Sequence, residues 1–152
     1  MTAAPRIRPA TEADGLAASA IFDAARTESL GFLPVLHTRD EDDAFFTTVM
    51  AGPDAWVAVD DDDRPTGFIA WTDGFVDHLY VHPDAQGTGI GTALLQLMQE
   101  THPEGLRLYV FQRNDRARRF YERRGFHAEA FGNDNEEHTP DILEHWPGRP
   151  DL

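Results

Sequence analysis

Between residues 79 and 101 a strand-like run, Leu79-Tyr80-Val81-His82-Pro83, passes through Gln86-Gly87-Thr88-Gly89-Ile90-Gly91 directly into an amphipathic helical pattern. Glycine tolerates the left-handed backbone that a tight strand-to-helix turn demands, and it lets main-chain amides close on a ligand. The first turn of the helix contributes N–H groups that have no intrahelical partner. Such a junction is an anion site, and its geometry suits a diphosphate. Further on, Asn114-Asp115-Arg116-Ala117-Arg118-Arg119-Phe120-Tyr121-Glu122-Arg123-Arg124-Gly125-Phe126 reads as a helix that stops at glycine and carries one phenol on its apolar stripe.

Two other phosphate-binding signatures fail on single residues. The dinucleotide GxGxxG fingerprint needs glycine where Thr92 stands, and it should open an early βαβ unit. The Walker loop needs a lysine, and all 13 cations of this chain are arginine. A glycine-rich turn that holds no ligand is the bland alternative. The lack of lysine also removes Schiff-base chemistry, and the lack of cysteine removes thiolate nucleophiles, disulfides and cysteine-ligated zinc. The seven histidines are scattered without ligand spacing, so no metal is expected.

With 152 residues, 41% of them hydrophobic, residues 1–152 are expected to form a single domain with a sizeable core. No apolar run approaches membrane-spanning length and no basic leader precedes one, so a cytoplasmic protein without a membrane partner is expected. Thirteen cations against 27 carboxylates give a net charge of −14, which repels nucleic acid and favours cationic small molecules or basic peptides. Against that acidic background, six arginines fall between residues 113 and 124. Most of them suit a solvated helix face, with one or two left to compensate a bound anion.

Periodicity gives an alternating order. A first strand spans residues 6–10, and Thr11-Glu12-Ala13-Asp14 caps a helix that uses Leu16, Ala20, Ile21 and Ala24. After a loop, Thr38 or Asp40 caps a second helix over Ala44, Phe45, Thr48 and Val49. Strands follow at 55–59 and 66–71, joined by an exposed acidic hairpin, and then at about 75–81. The helix after the glycines places Ile90, Leu94, Leu97, Met98 and Thr101 on one side, and strands are expected at 106–111, 127–131 and 141–146. The fold class is α/β, a mixed sheet with helices on both faces.

Gln86-x-x-Gly89-x-Gly91, the preceding Leu79-Tyr80-Val81-x-Pro83, and Asn114 with Ala117, Phe120-Tyr121-Glu122 and Gly125-Phe126 together closely resemble the coenzyme-binding half of the GNAT superfamily of acetyl-CoA-dependent N-acetyltransferases. The resemblance implies a mostly antiparallel central sheet of about seven strands whose two central strands splay to admit the pantetheine arm. It implies coenzyme contacts from Leu79, Tyr80, Val81, Gln86, Gly87, Thr88, Gly89, Ile90, Gly91, Thr92, Asn114, Arg118 and Tyr121. It further implies direct transfer of acetyl from acetyl-CoA to a primary amine of a small molecule or peptide in a ternary complex, with pairing into a homodimer through the last strands.

Composition agrees with direct transfer, because Ser19 and Ser29 are the only serines and neither lies in Gly-x-Ser-x-Gly. By family analogy the Val81 N–H faces the oxyanion, and Tyr121 matches the general acid that protonates the leaving thiolate. As a bare feature Tyr121 also reads as a core tyrosine beside Phe120, although the motif match favours the general acid, and Asn114 is equally a helix N-cap. The base is expected to be Asp77 or a water relay. Asp73 shares its strand face if the strand starts early and is otherwise the turn residue of Thr72-Asp73-Gly74, while His78 points the other way and reads more readily as a packed or surface histidine. Acceptor specificity is expected from residues 32–37 and 135–141, with Glu28, Glu41, Glu137 and Asp141 suited to a cationic amine. The alternatives are an acyl-CoA-binding module without turnover, or a transferase of longer acyl groups seated near Phe68, Phe75 or Phe111.

Overall fold

Seven extended runs pair into one sheet in the order β1 (Arg6–Pro9), β2 (Ala55–Val59), β3 (Pro65–Thr72), β4 (Phe75–Val81), β5 (Leu106–Phe111), β7 (Asp141–Trp146), β6 (His127–Gly132), and the single parallel pair, β4 with β5, sits at its centre. A computed structural model describes residues 5–150. The helices are α1 (Gly15–Ser29), α2 (Arg39–Ala51), α3 (Ile90–Thr101) and α4 (Asp115–Glu122). The mixed α/β sheet expected from sequence is therefore the observed one, and each expected strand lies within a residue or two of its place. Among the described residues no helix is long and apolar enough to cross a membrane.

Local chemistry explains the boundaries. Thr38 accepts from the Glu41 N–H, while the Glu41 carboxylate accepts from the Thr38 N–H, a reciprocal box that starts α2. Asp14 does similar work before α1. Its carboxylate accepts from the Thr11 N–H at 2.8 Å and from two Arg8 nitrogens at 2.8 and 2.9 Å, clamping β1 to the 3₁₀ turn Glu12–Asp14. The acidic stretch after β2 is the expected hairpin loop, closed by the Asp60 N–H on the Arg64 carbonyl.

Helices cover both faces. One core holds Ala18, Ile21, Phe46, Met50, Val57 and Phe68 under α1 and α2. The other holds Ile69, Leu94, Leu95, Met98, Leu108, Tyr121, Phe126 and Ile142 under α3 and α4. Each fully buried Leu or Met there contributes about 1.5–3 kcal/mol through apolar burial. The helix stripes depart from the sequence reading. Helix α1 begins only after the 3₁₀ turn, so Leu16 is 64% exposed and Ala18, Ile21 and Ala25 face inward. In α2 the buried residues are Phe46 and Met50, and Phe45 stays half exposed. In α3 Leu95 joins the core while Thr101 faces water. A one-residue phase error is enough for each shift, because 3.6-residue spacing leaves neighbouring stripes only 100° apart.

Candidate active site

Strands β4 and β5 are hydrogen-bonded neighbours only at their starts, where Phe75 lies opposite Arg107 and Val76 opposite Leu108. Beyond that point they diverge. Residues 77–81 thus keep one free edge, which is the central splay expected from sequence. His82 donates its N–H to the Thr66 carbonyl at 2.9 Å, so alternation along the antiparallel β3–β4 ladder turns the Val81 N–H the other way, into the gap. The Val81 carbonyl accepts from Gln86 Nε2 at 3.1 Å, which pins the glycine loop to the strand end. Gln86 Oε1 is buried and meets no donor.

A 3₁₀ turn, Pro83–Ala85, follows β4, and then the chain reaches Gly87 at φ 81° and Gly89 at φ 87°, the left-handed region that side chains resist. Gly89 is the N-cap of α3, and its carbonyl takes the Ala93 N–H at 2.9 Å. The N–H groups of the first helical turn, Ile90 to Thr92, are left for an external acceptor, at the positive end of the helix dipole.

Helix α4 forms the far wall. Asn114 Oδ1 accepts from the Ala117 N–H at 3.2 Å, so Asn114 is a helix N-cap, and it lines the cleft as well. Tyr121, 9% exposed, packs edge-on to Phe120 and Phe126 with ring centroids at 5.2 and 5.5 Å. Burial, and then the neighbouring Tyr80, push the Tyr121 phenol well above its ordinary pKa. Tyr80 is itself pushed up to about 12 by burial and by the charge of Glu137, with Arg26 opposing. Both phenols are therefore neutral proton donors at physiological pH.

These parts enclose one cleft of about 450 Å³. That volume is within the range of small-molecule sites. Of the residues expected to bind coenzyme, Leu79, Tyr80, Val81, Gln86, Gly87, Gly89, Ile90, Gly91, Thr92, Asn114 and Tyr121 all line it. Thr88 does not; its hydroxyl turns back to the Ala85 carbonyl. Arg118 is also turned away, donating to the Gln112 carbonyl at 3.2 Å, while Arg116 lines the cleft in its stead. Helical pitch accounts for the exchange: Arg116 sits one turn before Phe120, whereas Arg118 is rotated off that face. The end of α1 contributes Ala25, Ser29 and Leu30, which carry no sequence signal for this role.

Asp77, expected as the base unless a water relay serves, lies outside the cleft. Trp71 lies opposite Val76 and Ala70 opposite His78, so Asp77 is the extra residue of a β-bulge, exposed and accepting from the Thr72 hydroxyl at 2.7 Å rather than lining the cleft. Asp73 is no strand residue but a turn residue at φ 52°. His78 is wedged edge-on to Phe45 and Phe46, with centroids at 5.6 and 5.3 Å, and burial lowers its pKa, so the imidazole is neutral. Phe68, Phe75 and Phe111, considered for a long acyl chain, do not line the cleft.

The model of the acetyltransferase (GNAT) domain matches residues 51–128, more than half of the chain. The chain belongs to the GNAT acetyltransferase family. It is 35% identical over 99 residues to the peptidyl-lysine N-acetyltransferase YiaC of Escherichia coli K12, covering 64% of this chain and 66% of that protein. Against the peptidyl-lysine N-acetyltransferase YjaB of Salmonella typhimurium it is 41% identical over 71 residues, covering 47% and 48%. The chain thus spans between about half and two thirds of the length of these curated relatives. The solution structure of apo YjaB from Escherichia coli superposes with a TM-score of 0.80 at 26% identity, covering 96% of this chain and 99% of that one.

In this GNAT domain the two segments expected to shape an acceptor site meet across the gap. Phe32 packs edge-on to Phe111 at 6.4 Å, and the Arg113 guanidinium lies 4.3 Å over the Phe32 ring. His37 Nε2 is 2.6 Å from the Glu136 carboxylate. Asn135 braces the other segment, donating to Asp141 at 3.0 Å and accepting from the Thr139 N–H at 3.1 Å.

Proposed function

We propose that the protein transfers the acetyl group of acetyl-CoA directly to a primary amine, with both substrates bound together. One observation carries this reading: a single cleft gathers a main-chain N–H at a diverging strand end, a glycine-supported helix start and a buried neutral phenol. In it the first turn of α3 receives the diphosphate of acetyl-CoA. The partnerless Gln86 Oε1 suits an amide N–H of the pantetheine arm, and Asn114 Nδ2 is free for its carbonyls. The amine lone pair attacks the thioester carbon, the Val81 N–H takes the developing oxyanion, and the C–S bond breaks as Tyr121 gives its proton to the departing sulfur. The ammonium first gives one proton to water to expose that lone pair, and the proton shed by nitrogen after attack returns through water to restore Tyr121, since Asp77 lies off the cleft. Positioning and oxyanion stabilisation supply most of the rate enhancement.

The acceptor in this reading is cationic, which fits a chain at −14, and the relatives named peptidyl-lysine N-acetyltransferases favour a lysine side chain on a peptide over a free small amine. A cytoplasmic setting belongs to the same reading. Pairing of two copies through β6 is supported by the exposure of every residue on that strand. The test is release of free thiol when acetyl-CoA is mixed with a panel of lysine peptides and small amines. Acetyl-dependent thiol release on at least one amine is expected. Tight coenzyme binding with no release on any of them would instead make the domain an acyl-CoA-binding module.

A further inference from the structure

Among the described residues no carboxylate pairs with the Arg124 guanidinium. It is half buried, stacks 3.9 Å over the Phe120 ring, donates to the Phe120 carbonyl at 2.8 Å and donates to the Thr92 hydroxyl. Both of those acceptors are neutral. The ion pairs made by arginines of α4, Arg116 with Glu28 and Arg118 with Asp115, do not include it, in a chain holding 27 carboxylates. It is moreover held against the first turn of α3, where the helix dipole is positive and a cation is disfavoured. Phe120 and Thr92, its two anchors, both line the cleft. Thr92 accepts from the guanidinium, which leaves its own O–H to donate, and Thr92 lines the cleft.

We propose that Arg124 and Thr92 form a relay for the diphosphate of the coenzyme: the guanidinium supplies the compensating cation and holds Thr92 so that a polarised hydroxyl faces the phosphate. The inference rests on the coenzyme reading above. Arg124 acts through Thr92 and is a positioning residue. Because it leaves α4 just beyond Tyr121, the relay also ties phosphate binding to the helix that carries the phenol. A charged hydrogen-bond donor is the group with the strongest preference for such an acceptor.

Calorimetric titration of wild type, Arg124→Gln, Arg124→Lys and Thr92→Val with CoA, dephospho-CoA and pantetheine tests it. Arg124→Gln should weaken CoA and dephospho-CoA alike, by roughly tenfold or more as expected for loss of a charged hydrogen-bonding group. Pantetheine affinity should be unchanged, which also reports that the variant is folded. Lysine should restore part of the loss, and Thr92→Val should reproduce part of it with the same ligand pattern. The proposal is overturned if Arg124→Gln binds CoA as wild type does, if pantetheine weakens equally, or if dephospho-CoA is spared. A wild type that binds no CoA at all would sink the proposed function instead.

Discussion

Replacing Tyr121 by phenylalanine removes one oxygen and little else. The ring keeps its edge contacts with Phe120 and Phe126, so no cavity opens in the core that Tyr121 shares with Leu94, Leu108 and Ile142. The predicted effect is therefore chemical. A positioned general acid is worth about 10²–10⁴ in rate, and at 1.36 kcal/mol per decade this is about 2.7–5.5 kcal/mol in the barrier. Binding loses at most one neutral hydrogen bond, about 0.5–1.5 kcal/mol or up to roughly tenfold in affinity. Turnover at saturating amine and acetyl-CoA, read as free thiol, should fall by at least about a hundredfold, while the CoA dissociation constant from calorimetry changes far less. The pH profile adds a second reading. Burial and Tyr80 raise the phenol above its usual value, so its deprotonation cannot produce a fall in wild-type turnover between pH 8 and about 10. Turnover reduced less than about threefold, or reduced only in step with CoA affinity, refutes the role of the phenol.

Two further predictions concern stability. Glu144 is fully buried on β7 and neither carboxyl oxygen has a partner; burial, then the charge of Glu122, raises its pKa, with Arg118 and His127 opposing. A raised carboxyl pKa means stability present at low pH and lost as pH climbs from the ordinary Glu value through the raised one. Glu144→Gln should therefore gain on wild type in melting temperature as pH rises from 4 to 8; a pH-independent difference would show that the acid is not neutral in the fold. Asp14 behaves oppositely. The Arg8 guanidinium holds its pKa below the usual range, so its contribution is full above the ordinary Asp value and is lost as pH falls through the depressed one. Asp14→Asn should cost about 1–3 kcal/mol near neutrality, from lost charged hydrogen bonds, with the penalty shrinking below pH 4; an undiminished penalty at pH 3 argues for packing rather than charge.

Most strand positions were legible because half-buried strands alternate and their ends carry Gly, Pro or Asp, as in Gly52-Pro53 before β2 or Asp73-Gly74 before β4. What the pattern did not carry was the bulge. Alternation over residues 75–81 puts Asp77 on the Leu79 and Val81 face, and nothing local says that one residue is inserted against β3 there. Bulges arise from pairing with a partner strand, a long-range fact, which is why local alternation does not show Asp77 turned out of the cleft. The helix stripes failed for a related reason. Leu16 and Phe45 are apolar enough to be read as core, yet which stripe is buried depends on where the helix starts, and the 3₁₀ turn before Gly15 moved that start by three residues.

The cleft was legible in its main chain and illegible in its charges. A glycine at positive φ serves one narrow purpose, so Gly87 and Gly89 located the turn directly. Six arginines in one short stretch all satisfy the same sequence criterion for an anion partner, and only geometry separates them. Arg118 is spent on the Gln112 carbonyl, Arg113 lies over Phe32, and Arg116 faces the cleft beside Glu28. Arg124 reaches the α3 start from the turn that ends α4, where it folds back over the Phe120 ring and onto the Thr92 hydroxyl. The turn that closes α4, rather than its helical stripe, thus selects which cation stands behind Thr92. On this fold the phenol sits in the last turn of α4 and the charge in the turn that follows it, so a shift of α4 by a single residue would displace both together.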